Sequence, residues 1–134
     1  MNFLRKLNRE DVIVSPTHDQ SKYPLSTSEY ESAVRRTKYY ITGGTWDFEI
    51  PAKCIEVMNL GACLVCPEMP KAAEYGLVNG VTYIKLNSVE EIPAILASDR
   101  WEQIAPAGQR LVQERHTVHV RAKQIIRAYQ EWKA

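Results

Sequence analysis

Short apolar runs alternate with longer amphipathic stretches along the chain, and Gly, Pro and Ser mark most of the joins. Asp11-Val12-Ile13-Val14-Ser15 reads as a buried strand ended by Pro16, and the polar stretch Thr17 to Leu25 as a loop. Ser26, Thr27 and Ser28 offer helix caps, and Ser28 with Glu31 has capping-box spacing. The helix that follows to about Lys38 would turn Tyr30, Ala33 and Val34 to the core. Tyr39 to Thr42 is strand-like and Gly43-Gly44 breaks it; after a loop, Pro51 opens a helix to Leu60, with Gly61 as its stop.

Ala62 to Cys66 is the next expected strand, stopped by Pro67, and Lys71 to Tyr75 a short helix before Gly76. Val81 to Ile84 reads as a further strand. Ser88 with Glu91 opens a helix to about Ser98, Asp99 caps one through Trp101, Ile104 and Leu111, and Thr117 caps the last. That last helix gathers Val118, Ala122, Ile125, Ile126 and Tyr129 roughly on one face. Alternating short strands and helices predict one α/β domain over residues 1–134. The expected architecture is Rossmann-like: a parallel sheet of about four strands with helices on both faces. Ligands of such sheets collect outside the C-terminal strand ends. The loops after Ser15, at Gly43-Gly44 and from Pro67 to Pro70 are therefore the places to look.

Composition narrows the function classes. The 134 residues include 45% apolar and 25% charged, with 17 Lys plus Arg against 16 Asp plus Glu. A formal charge of +1 argues against a dedicated nucleic-acid-binding domain and against a polybasic membrane anchor. No run is long and apolar enough for a membrane span, and the start turns charged at Arg5, unlike a leader peptide. The three cysteines, Cys54, Cys63 and Cys66, give no disulfide framework, so a cytoplasmic setting is expected. Cys63 and Cys66 have the spacing of a redox or zinc pair. On a strand, positions three apart point to opposite faces, so core thiols are expected.

The helix from Pro51 is apolar almost all round, and its polar residues Lys53, Glu56 and Asn59 recur every three positions as one narrow stripe. A helix start after a glycine loop suits an anionic phosphate, aided by Lys53. A carboxylate such as Glu56 suits the paired hydroxyls of a sugar. A plain Lys53–Glu56 ion pair on a solvent strip is the competing reading. Neither a dinucleotide fingerprint nor a P-loop is present. The basic C-terminal segment, from Arg110 to Lys133, reads as a solvated helix face, with Trp132 available to dock against something. His116 and His119 read as capping or surface groups, with no Cys or carboxylate at ligand spacing.

The run Pro51-Ala52-Lys53-Cys54-Ile55-Glu56-Val57-Met58-Asn59-Leu60-Gly61 resembles the "P-x-K-x-x-E-x-x-x-x-G" helix in the C-terminal, donor-binding domain of group 1 glycosyltransferases of the GT-B architecture. Later segments follow that family's order. Asn79 to Ile84 resembles its "G-x-x-Y" strand, Ser88 to Ile92 its "S-x-E-E-L" helix start, and Ile104 to Gly108 with His116-Thr117 its "I-A-x-A-G … H-T" ending. The likeness covers about residues 37–128. It implies a nucleotide-diphosphate sugar as ligand, no metal and no cofactor, with Glu56 on the donor ribose. Lys53 matches the family's lysine, and the helix-end physics, separately from the resemblance, sets Gly43, Gly44 and Lys53 by the diphosphate. The family's sugar-contacting acid falls on Phe48 here, and Glu49 stands one residue away.

One domain would be the donor half alone. The resemblance therefore implies a glycosyl-transfer unit completed by an acceptor-binding domain or by homo-oligomerisation. His18 and Asp19, after the first strand, are the candidates within this chain for a catalytic base. The alternatives are a non-catalytic nucleotide- or sugar-binding regulatory module, or a remnant acting through protein–protein contacts.

Overall fold

A computed structural model describes Asp11, residues 26–43 and residues 50–134. His18, Asp19, Gly44 and Glu49 lie outside the described residues, as does the expected first strand beyond Asp11.

Helix α1, Thr27–Arg35, starts where Ser26 is still extended. The Ser26 hydroxyl accepts the Glu29 amide at 3.3 Å, and the Glu29 carboxylate accepts the Ser26 amide at 2.8 Å. The capping box is therefore Ser26–Glu29 and not Ser28–Glu31: Ser28 already lies inside the helix and has no extended backbone to cap with. Val34 is buried beneath α1, with Tyr30 and Ala33 half-buried as the periodicity predicts.

Three parallel strands follow in spatial order, β1 (Tyr39–Ile41), β2 (Cys63–Cys66) and β3 (Ile84–Lys85). Tyr39 registers with Cys63 and Ile41 with Val65, while Val65 also registers with Ile84 and Cys66 with Lys85. β3 begins later than the expected Val81 start. The Thr82 hydroxyl accepts the Val78 amide at 2.8 Å and the Thr82 amide reaches the Val78 carbonyl at 2.9 Å, which folds this stretch into a turn. Gly80, at φ +78°, provides the left-handed residue that turn needs.

Helix α2, Ala52–Asn59, crosses from β1 to β2. Its end is a Schellman closure: Ala62 donates to Val57 and Gly61 to Met58, with Gly61 at φ +91°. Chain reversal at this point delivers β2 directly into the sheet. Every residue of β2 is buried. Leu64 and Cys66 face Cys54, Val57 and Met58 of α2, whereas Cys63 and Val65 face Tyr39, Ile84 and Ile95. The Cys63 and Cys66 thiols thus diverge into different cores, as strand geometry requires. Complete burial of a side chain such as Leu64 or Val57 contributes about 1.5–3 kcal/mol.

The remaining helices complete both faces. A 3-10 turn, Ala72–Tyr75, lies on the α2 side. A 3-10 turn at Val89–Glu91 leads into α3, Ile92–Leu96, on the opposite side. The Ser88 hydroxyl there accepts from Glu90, while Glu91 reaches back to Asn87, so the expected Ser88–Glu91 pairing is split over two caps. Helix α4, Trp101–Arg115, serves both cores, with Ile104 and Ala105 in one and Leu111 and Val112 in the other. Asp99 receives the Glu102 amide on its backbone carbonyl, and Arg100 occupies the cap position. Helix α5, Val118–Lys133, is capped by the Thr117 hydroxyl on the Val120 amide, as expected, but no residue along it is buried. Among the described residues no helix is long and apolar enough to cross a membrane.

Candidate functional site

The rotation of α2 decides which of its side chains are accessible. Cys54, Val57 and Met58 are packed to 1% exposure or less, and they leave Lys53 half-buried and Glu56 and Asn59 exposed. The polar stripe read from the sequence is therefore a real surface feature of a helix otherwise in the core. Among the described residues, ion pairs join Lys85 to Glu68 and Arg127 to Glu131; Lys53 and Glu56 are not joined. The stripe is not a self-neutralising pair.

Glu56 lies within electrostatic reach of Tyr30 on α1. Burial, a hydrogen bond with Tyr40 of β1 and the Glu56 carboxylate together push the Tyr30 phenol above its ordinary range. The Tyr30 hydroxyl therefore keeps its proton within electrostatic reach of Glu56. The far end of the stripe is tied down, because the Gln109 side chain of α4 donates to the Asn59 carbonyl at 2.8 Å. Gly43 follows β1 at the C-terminal edge of the sheet, exposed, with nothing within 4 Å of where a Cβ would stand. The structure thus places Gly43, Lys53 and Glu56. For Gly44, Glu49, His18 and Asp19 it gives no position.

The same sheet edge carries residues that sequence reading did not single out. Lys85 ends β3, its Nζ 2.8 Å from Glu68 Oε2 and its amide donating to Asn79 Oδ1 at 2.8 Å. It lines a cleft of about 350 Å³ with Asn79, Asn87, Glu91 and Arg100. A lysine closing an apolar strand was the available signal, since such a side chain must emerge at the carboxyl edge of the sheet. A second cleft, about 340 Å³, lies at the joint between α4 and α5, lined by Tyr75, Arg115, His116, Arg121 and Gln124. Neither cleft contains Lys53 or Glu56.

His116 is a joint residue. Its Nε2 lies 2.7 Å from the Tyr75 carbonyl and its Nδ1 lies 2.8 Å from Arg121 Nη2. A carbonyl only accepts and a guanidinium only donates, so Nε2 carries the proton and Nδ1 receives one from Arg121. The Arg121 guanidinium also rests over the Tyr75 ring at 5.7 Å. His119 is exposed on α5.

All three cysteines are free and buried. Burial pushes the Cys63 thiol up to about 12. The bond that Cys66 donates to Cys54, together with burial, pushes Cys66 up, while that bond and the Lys53 charge lower Cys54 against its burial. Cys63 and Cys66 accordingly keep their protons at neutral pH. Among the described residues no group of three His, Cys, Asp or Glu side chains converges as a metal site. No protein-family model, curated protein or solved structure matches the chain.

Proposed function

We propose that the chain is a Rossmann-like, glycosyltransferase-type donor domain that binds a nucleotide-diphosphate sugar along α2. The observation that carries this reading is the half-buried Lys53 and exposed Glu56, in no ion pair among the described residues, on a helix whose opposite face is locked in the core. A cation at the helix start, where backbone amides also point outward, suits a diphosphate. A carboxylate one turn on, near the protonated Tyr30 hydroxyl, suits the two hydroxyls of a ribose. Gly43, next to the same edge, leaves room for close approach of a ligand to backbone. The ordered run of family-like segments from residue 37 to 128 supports the same assignment.

In this reading the domain orients the donor, and transfer takes place when an acceptor-binding domain supplies the acceptor and the base. Glu49 would meet the sugar, and His18 or Asp19 would be the base if the chain provided its own. A thermal-shift screen against UDP-, GDP-, ADP- and dTDP-sugars, with free nucleotides alongside, tests it. A ligand of the native state at 100 times its Kd adds about 2.7 kcal/mol, which a melting curve resolves easily. Stabilisation by one nucleotide family that is lost in Glu56→Ala is the expected result. No shift at millimolar ligand, or a shift that Glu56→Ala leaves intact, would reject the α2 site.

A further inference from the structure

Helix α5 carries an apolar seam that the rest of the fold leaves uncovered. Val118 is 88% exposed, Ile125 70%, Ile126 56%, Tyr129 54% and Trp132 81%. Val118, Ala122, Ile125, Tyr129 and Trp132 recur at spacings of four, three, four and three, the stripe of a helix that packs along another helix. No residue of α5 is buried, so the packing of an amphipathic face that supplies most helical stability is missing within the chain.

We infer that the seam from Ala122 to Trp132 is covered by α5 of a second copy of this chain, packed antiparallel about a dyad near Arg127. In that register Ala122 faces Trp132 of the other copy and Ile125 faces Tyr129. Each large side chain thus meets a smaller one. A parallel in-register pair would instead stack Trp132 on Trp132 and leave a gap at Ala122. Ile126 and Ala128 flank the dyad on either side and carry no charge. Arg121 and Lys133 sit towards the ends of the seam, and Lys123, Arg127 and Glu131 lie on the outer face, where water solvates them. Arg121, Lys123, Arg127 and Lys133 outweigh Glu131 on α5, so added salt, which screens them, should strengthen the pairing.

The area suffices. Tyr129 and Trp132 expose roughly 300 Å² between them, given their usual size. With Ile125 and Ile126 added, complete cover of these four side chains on both copies buries about 1,000 Å² in total, the lower bound for a specific interface. The pairing is therefore a weak, concentration-dependent dimer, and it does not depend on the donor reading.

Sedimentation equilibrium of the full chain from 1 to 300 μM tests this. The expected result is a monomer–dimer equilibrium that Ile125→Lys shifts at least tenfold toward monomer, with far-UV circular dichroism confirming the folded body. Ala128→Cys, next to the dyad, should oxidise to a disulfide-linked dimer, while Ala134→Cys should not. A 15.3 kDa species across the whole range would overturn the proposal. So would a dimer indifferent to Ile125→Lys, or cross-linking through Ala134→Cys, which would show parallel helices. A chain monomeric in buffer that binds anionic phosphatidylglycerol vesicles through α5 would assign the seam to a membrane and reject it too.

Discussion

Gly108 sits in the interior of α4 and is buried, an unusual place for a residue that weakens helices. The reason is the distance to its neighbour. A Cβ at this position would stand 2.6 Å from the Thr82 carbonyl oxygen and 3.0 Å from Met58 Cε. Met58 can swing aside, but Thr82 cannot, because its hydroxyl and amide both bond to Val78 and hold the turn before β3. Two effects of opposite sign follow from Gly108→Ala. Helix propensity favours alanine by up to about 1 kcal/mol, and overpacking against fixed backbone costs about 1–3 kcal/mol. The larger wins, so the substitution should destabilise by about 1–2 kcal/mol. Urea denaturation followed by circular dichroism should show the midpoint falling by roughly 0.5–1 M with the slope unchanged. Gly108→Val should lose more. Equal or greater stability of Gly108→Ala would refute the close docking of α4 on the Thr82 turn.

Three further outcomes are expected. Tyr39→Phe should cost about 1–3 kcal/mol in the same assay, since its hydroxyl donates to the Ser98 carbonyl at 2.7 Å and receives the Trp101 amide at 3.2 Å; unchanged stability would break that link between β1 and α4. Alkaline pH should destabilise the protein, because a thiol held up to about 12 in the fold titrates near 9 when unfolded. The stability from Cys63 is complete below pH 9 and lost between 9 and 12, and Cys63→Ala should flatten that slope by up to about 1.4 kcal/mol per pH unit. The raised Tyr30 and Tyr83 phenols act in the same direction. Lys53→Ala should weaken nucleotide-diphosphate sugar binding, measured by calorimetry, more than binding of the corresponding nucleoside; equal losses would remove Lys53 from the diphosphate.

Elements bounded by strong stereochemical signals were legible in the sequence. The α2 helix and β2 strand fall where Pro51, Gly61 and Pro67 place them, and the opposed faces of Cys63 and Cys66 follow from strand geometry alone. Boundaries set by one hydroxyl were not. Whether Ser26 or Ser28 caps α1 depends on which residue is extended, and the late start of β3 depends on Thr82 bonding back to Val78. Neither choice leaves a periodicity to read. For the site, the polar stripe of α2 was legible, but its neighbours were not. Tyr30 comes from α1 and Tyr40 from β1, and only the shared core beneath α2 gathers them.

The contrast between α2 and α5 shows what amphipathic pattern can and cannot specify. Both helices carry apolar residues that demand cover. In α2 the demand is met within the chain, because the Gly61 closure turns directly into β2 and draws Cys54, Val57 and Met58 onto the sheet. Helix α5 is tied to the body near its start, through the bond of His116 to the Tyr75 carbonyl and the Arg121 guanidinium over the Tyr75 ring. Its seam points away from both cores. The same arithmetic of spacing therefore produces a rigid platform for Lys53 and Glu56 in one case and an open surface in the other. The difference lies in the chain's connections and not in its hydrophobicity.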